Sequence, residues 1–178
     1  MDALNASTQR SLLEALFSPP KPSVALTSTT KSAGLTLMRH TIGQSDLTPS
    51  WIGEWSYDDT PNDVPDPSLQ FFNVTEQGER MFHWLGRMAD VAGNDTTLVG
   101  SVWSVPQWMK AANTLRSEFS ESWVQYVTTY LEAAQRRGVS INAVTMQVRV
   151  WCQMFWFAIS ATWWCHQVIC CVRHSCSE

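Results

Sequence analysis

The side chains able to do chemistry are unevenly spread along this chain. All five cysteines (Cys152, Cys165, Cys170, Cys171 and Cys176) follow Gln147, together with His166 and His174. Thiolates and imidazoles are the usual ligands of zinc, but structural zinc sites draw on paired C-x2-C units. The spacing of Cys165-His166, Cys170-Cys171 and Cys176 lacks that pairing, so no metal is assigned. Disulfides among these residues would need an oxidising compartment. Tryptophan is the second concentration, with 10 residues, Trp151, Trp156, Trp163 and Trp164 among them in the tail. An indole either fills a core or offers a flat apolar face, such as one against a pyranose ring. For any single Trp the core reading carries more weight. Three strand-like runs end in polar or aromatic residues: Arg39-His40, Trp103-Ser104 and Thr145-Met146-Gln147.

The bulk composition narrows the partners. The net charge is −4 and the pI about 5.5, so the basic stripe of a nucleic-acid binder is missing. Met1-Asp2-Ala3-Leu4-Asn5 has neither the basic nor the apolar region of a signal peptide. Three Asn-x-Ser/Thr triplets, at Asn5, Asn73 and Asn94, lean toward a secreted protein. The text changes character after Gln147: no Gly or Pro occurs there, and Val150–Val172 carries no Asp, Glu, Lys or Arg. That stretch is long enough to span a bilayer. Gln153, Ser160, Thr162, His166 and Gln167 make it a poor candidate for one.

Along the chain, three helices and three strands alternate. Ser11–Phe17 places Leu12, Leu13 and Leu16 on one helical face, and Pro19, Pro20 and Pro22 end it. A Ser/Thr-rich loop over 23–33 leads to a strand at Leu35–His40. The long segment 41–69 is rich in turn residues, and loops of that length are usually functional or disordered. A helix follows over Glu76–Val91, with Met81, Trp84, Leu85, Met88 and Val91 at helical spacing and Gly93 as its stop. Then come a strand at Thr97–Trp103, a helix at Glu121–Arg137 capped by Ser120 and closed by Gly138, and a strand at Ile141–Gln147. Strands alternating with helices are the grammar of a parallel α/β sheet. No Gly-rich phosphate loop follows any strand, which weighs against a dinucleotide-binding fold, and no cofactor is expected.

Four segments carry a family resemblance. They are the run from Leu37-Met38-Arg39-His40-Thr41-Ile42-Gly43 to Asp46, then Tyr57-Asp58-Asp59-Thr60-Pro61-Asn62-Asp63. Next come Gly100-Ser101-Val102-Trp103-Ser104-Val105-Pro106-Gln107-Trp108-Met109-Lys110 and Ala143-Val144-Thr145-Met146-Gln147. In order and spacing they resemble glycoside hydrolase family 30, the glucosylceramidases and fungal endo-β-1,6-glucanases. The resemblance implies a (β/α)8 TIM barrel, of which this chain would hold about strands two to four. It also implies a retaining mechanism with two glutamates about 5 Å apart, one attacking the sugar and one protonating the leaving oxygen. The partner would be a carbohydrate, either β-1,6-glucan or a glucosylceramide-like β-glucoside, and the setting extracellular.

Carried over by position, Asp46 matches the acidic residue that binds sugar hydroxyls. Trp103 matches the aromatic wall of the sugar subsite, and Arg39 the arginine that supports the catalytic centre. All three are expected to converge at the C-terminal ends of the strands, where barrel sites lie. The bland alternatives are a loop cap, a core indole and a structural ion pair. No catalytic residue is assigned. Where the family reads Asn-Glu-Pro after the glutamine, this sequence reads Val148-Arg149-Val150, and the next glutamate is Glu178. Residues 1–147 are therefore expected to be a partial barrel domain, and 148–178 an unrelated tail. Val-Arg can be encoded by GTGCGT, a common form of fungal intron start, so intron read-through is the expected origin of the tail. The chain itself is expected to be inactive. The alternative is a non-catalytic carbohydrate-binding or membrane-anchored remnant.

Overall fold

The structure is a computed structural model and describes residues 3–19, 32–93, 96–112, 114–145 and 169–171. Helix α1 (Ala6–Phe17) is followed by strand β1 (Leu37–Ile42), helix α2 (Glu76–Ala92) and strand β2 (Thr97–Val102). A short antiparallel pair, β3 (Lys110–Ala111) and β4 (Thr114–Leu115), precedes helix α3 (Ser120–Gln135). Strand β5 (Ala143–Thr145) and strand β6 (Ile169–Cys171) close the order. The main sheet runs β1-β2-β5-β6. β1, β2 and β5 are parallel, with Thr41 beside Ser101 and Ser101 beside Thr145. β6 pairs antiparallel with β5. Parallel strands joined by helices on one face are the expected partial (β/α)8 barrel.

Each element has a local cause. α1 starts earlier than the apolar spacing indicated, because the Asn5 side chain caps it by accepting from the Thr8 N–H at 2.9 Å. α2 is capped by Thr75 and stopped by Gly93, whose φ of 81° suits glycine. Ser120 is not the cap of α3: it already has helical dihedrals, and its hydroxyl donates to the Ser117 carbonyl within the preceding turn. The helix ends at Gln135, and Gly138 lies two residues beyond its Arg136 C-cap with φ of 76°.

β1 lies two residues later than the hydrophobic run suggested. Ala33 and Leu35 donate their N–H groups to the carbonyls of Ala15 and Leu16, which holds them to the end of α1 and off the sheet. At the other end Ile42 accepts from Trp103 and Ser104, which prolongs the strand beyond His40. β5 begins at Ala143, where the Asn142 side chain and main chain both bond to Leu98. The expected continuation from Met146 to Gln147 lies outside the described residues, as do most of the Ser/Thr-rich loop and the Asn94 triplet.

Alternation along the strands divides two faces. Met38, His40 and Ile42 of β1, Leu98 and Val102 of β2 and Val144 of β5 are buried on the helix side. There Tyr130 of α3 stands between β1 and α2, 6.1 Å from the His40 ring and 5.2 Å from Phe82. Beyond the end of β1, the segment 41–69, expected as a long loop, is folded around Tyr57, whose ring lies 5.0 Å from Tyr130 and 5.3 Å from Trp55. The opposite sheet face carries Leu37, Arg39 and Thr41, and Leu37 is 65% exposed.

Candidate functional site

The face away from the helices presents a continuous polar row. Arg39 sits in the middle of β1 rather than at its end, but its side chain is long enough to reach the neighbouring strand. Its Nε–H donates to Ser101 Oγ at 2.6 Å, and Ser101 Oγ lies 2.7 Å from Thr145 Oγ1. Three strands are thereby cross-linked by side chains at one level. The Arg39 guanidinium carbon lies 5.3 Å from the centre of the Trp103 ring. A cation over an indole face is attractive and holds both groups in one orientation. Trp103 itself is half-buried, with one residue of alternation carrying it to the same face as Ser101.

Of the sequence-assigned residues, the structure therefore brings Arg39 and Trp103 together. Among the described residues Arg39 has no ion pair; it is held by a hydroxyl and an aromatic ring instead. Asp46 lies on the exposed turn after β1. That turn is fixed by Ser45 and Thr48, through Thr48 N–H to the Ser45 carbonyl at 3.0 Å and Ser45 N–H to Thr48 Oγ1 at 3.2 Å. Gln44, just before it, exchanges bonds with Trp55 through both its main chain and its side chain. Asp46 thus stands at the strand C-terminal end, with no hydrogen bond to Arg39 or Trp103 among the described residues.

The ends of β1 and β2 are drawn together by Gly43. With φ of 79° it takes a conformation that disfavours side chains, and a Cβ there would strike the Ser104 carbonyl oxygen. In the segment after β1, Asp58 is fully buried and accepts from the Trp108 indole N–H at 3.2 Å. Burial, reinforced by the nearby Asp66 and Asp59 charges, pushes the Asp58 carboxyl up to about 6. His40, buried beneath the row, donates to or accepts from Tyr130 Oη at 3.1 Å, and burial pushes its imidazole down to about 4. His40 and Thr145 are noted at strand ends in the sequence, and Ser101 and Asp58 within the family motifs, but the sequence assigns none of the four a role. Ser101 and Thr145 could have been found from their period-2 relation to Trp103 and the strand end, as small hydroxyls on the face that apolar residues leave.

Among the described residues, no group of three or more His, Cys, Asp or Glu is placed to hold a metal. None of their helices is long and apolar enough to cross a membrane. The cysteine-rich tail's side chains lie outside the described residues.

The comparisons with known proteins bear on the family and the fold. An endo-1,6-beta-D-glucanase of Trichoderma harzianum, BGN16.3, is 32% identical over 161 residues, covering 81% of this chain and 30% of that protein. The endo-1,6-beta-D-glucanase of Neurospora crassa is 37% identical over 128 residues, covering 67% of this chain and 26% of its relative. The chain thus spans less than a third of the length of these relatives. The solved endo-beta1,6-glucanase BT3312 shares the fold, with a TM-score of 0.64 at 18% identity, over 81% of this chain and 30% of that one. Residues 27–151 match the glycosyl hydrolase family 30 TIM-barrel domain, a span that takes in the Arg39–Trp103 pair and all three parallel strands, and the chain belongs to that family.

Proposed function

We propose that this chain carries part of the sugar-binding wall of a β-1,6-glucan hydrolase and does not itself catalyse hydrolysis. The observation that carries the reading is the contact of Arg39 with Trp103 on the open sheet face. An indole held flat against a cation presents its other face to the C–H bonds of a pyranose. Asp46, exposed on the adjoining turn, is a carboxylate able to accept from vicinal hydroxyls. β-1,6-Glucan is preferred over glucosylceramide because the similar proteins are named endo-1,6-beta-glucanases. The parent activity is extracellular, in keeping with the Asn5 and Asn73 triplets on exposed positions.

Inactivity follows from the residues after β5. Retaining hydrolysis needs one carboxyl to protonate the leaving oxygen and a second to attack, both close together. The acid/base position carries Arg149, which stays charged and cannot donate a proton usefully. The test is to incubate the purified chain with β-1,6-glucan and an aryl β-glucoside, and to titrate it with a β-1,6-linked glucose disaccharide. Weak binding, with a Kd on the order of 1 mM, and no new reducing ends are expected. Turnover that survives in the wild type but is lost with Asp46→Ala and Trp103→Ala would overturn the inactive reading.

A further inference from the structure

We infer that Ser101 and Thr145 are positioning residues that set the direction of the Arg39 guanidinium and, through it, the orientation of the Trp103 ring. The inference deepens the proposed sugar-binding reading and rests on it only for its consequence, not for its geometry. Ser101 is fully buried, so its hydroxyl has no water to turn toward. Arg39 Nε–H is obligatorily a donor, and the 2.6 Å contact makes Ser101 Oγ the acceptor. Ser101 Oγ keeps a second lone pair and its own proton, and Thr145 Oγ1 at 2.7 Å shares a hydrogen bond with it in which either hydroxyl can donate. The row is thereby continuous from Arg39 through Ser101 to Thr145.

Each link removes a freedom from the next. Register places Ser101 beside Thr145 on adjacent strands, so their separation is set by the sheet rather than by flexible side chains. Arg39 starts one alternation lower, beside Val99, and must rise along the sheet to meet Ser101. Anchoring Nε there leaves the guanidinium plane over Trp103, 5.3 Å from its centre. An arginine free of Ser101 would sample many rotamers, and the indole would lose the charge over one face. The two hydroxyls therefore hold the wall that the sugar meets without touching it.

The test reads the indole directly. With 15N-labelled tryptophan, the Trp103 indole resonance is identified by its loss in Trp103→Phe. Arg39→Ala should displace this resonance, and Ser101→Ala and Thr145→Val should move it in the same direction. Thr145→Ser, which keeps the hydroxyl, should restore the wild-type position, while the Trp108 and Trp123 resonances stay in place. In the same variants the Kd for a β-1,6-linked glucose disaccharide should rise about three- to tenfold, with Thr145→Ser again close to wild type. An unmoved Trp103 resonance in Thr145→Val and Ser101→Ala, with Arg39→Ala moving it, would overturn the relay. So would loss of the resonance position in Thr145→Ser as fully as in Thr145→Val. Absence of sugar binding by the wild type would sink the proposed function, and the indole shifts would still decide the positioning on their own.

Discussion

Trp108 donates its indole N–H to Asp58 across 50 residues of sequence, at 3.2 Å to the carboxylate and 3.2 Å to the main-chain oxygen. The pair ties the Tyr57-Asp58-Asp59 segment to the loop after β2, so two motifs distant in the chain share one buried joint. No cation neutralises the carboxyl among the described residues, and its other oxygen is buried without a partner. A carboxyl in that setting favours its neutral form.

The buried Asp58 and His40 pull stability in opposite directions with pH. Asp58 rises from 3.8 to about 6 in the fold, so its contribution is full below about 4 and is lost as the pH rises toward 6. His40 falls from 6.5 to about 4, so its neutral-state contribution is full above 6.5 and is lost as the pH falls toward 4. Each is worth on the order of 2–3 kcal/mol across its window, so the two largely cancel. Denaturant melts between pH 4 and 6.5 should show little slope from this pair in the wild type. Asp58→Asn should uncover stability that increases with pH, and His40→Gln stability that decreases with it. Parallel slopes in the two variants would refute the opposition.

Gly43→Ala should be among the most damaging single-methyl changes in the chain. The added Cβ meets the rigid Ser104 carbonyl, and the backbone at φ of 79° resists any side chain. A loss of about 2–4 kcal/mol is expected, since strain and overpacking add. Gly53→Ala is the comparison: φ is 78° and ψ 179°, yet no atom lies within 4 Å, so backbone strain alone of about 1–3 kcal/mol should appear, without the clash. Urea midpoints of the two variants compare them directly.

Tyr126→Phe removes only a hydroxyl, but that oxygen accepts the Tyr57 N–H at 3.2 Å in a fully buried place. The main-chain donor would be left without a partner. A destabilisation of about 1–3 kcal/mol is expected, measured by thermal melting, with no volume lost elsewhere.

Arg137 grips Glu79 through two oxygens, at 3.0 and 2.8 Å from its Nε, and joins the end of α3 to α2. Both side chains are exposed, so the pair is screened by solvent. Glu79→Gln should cost less than about 1 kcal/mol, and the cost should shrink further at roughly 0.5 M salt. A large, salt-independent loss would show that the joint matters more than its exposure allows.

Trp103→Ala should weaken binding of a β-1,6-linked glucose disaccharide about tenfold, corresponding to about 1.4 kcal/mol, if the proposed wall is used. The ring is half-buried just after β2, an inner strand of the sheet, so the melting temperature should also fall, and affinity is compared at a temperature where both proteins are folded. Unchanged affinity would remove Trp103 from the sugar wall.

Much of this architecture is legible along the chain. Apolar runs between helices locate three parallel strands, the spacing of Met81, Trp84, Leu85, Met88 and Val91 with Gly93 as stop bounds α2 to within a residue, and the motif order points to the barrel family, because local propensity and helix ending act over a few neighbours. What lies beyond reach depends on partners far away in sequence. The shift of β1 to Leu37–Ile42 comes from Ala33 and Leu35 binding the end of α1, and no pattern within the strand carries that information. Segment 41–69 reads as a long loop because its apolar residues have no period, yet Tyr57 is buried by α3, whose Tyr126 lies 69 residues later and meets its N–H. In the candidate site, sequence identifies Arg39, Asp46 and Trp103 as types. That Arg39 lies over Trp103, and that Ser101 and Thr145 stand in line to hold it, is decided by strand register, since a hydroxyl's partner is chosen by which strand lies about 5 Å away and not by its neighbours in the chain.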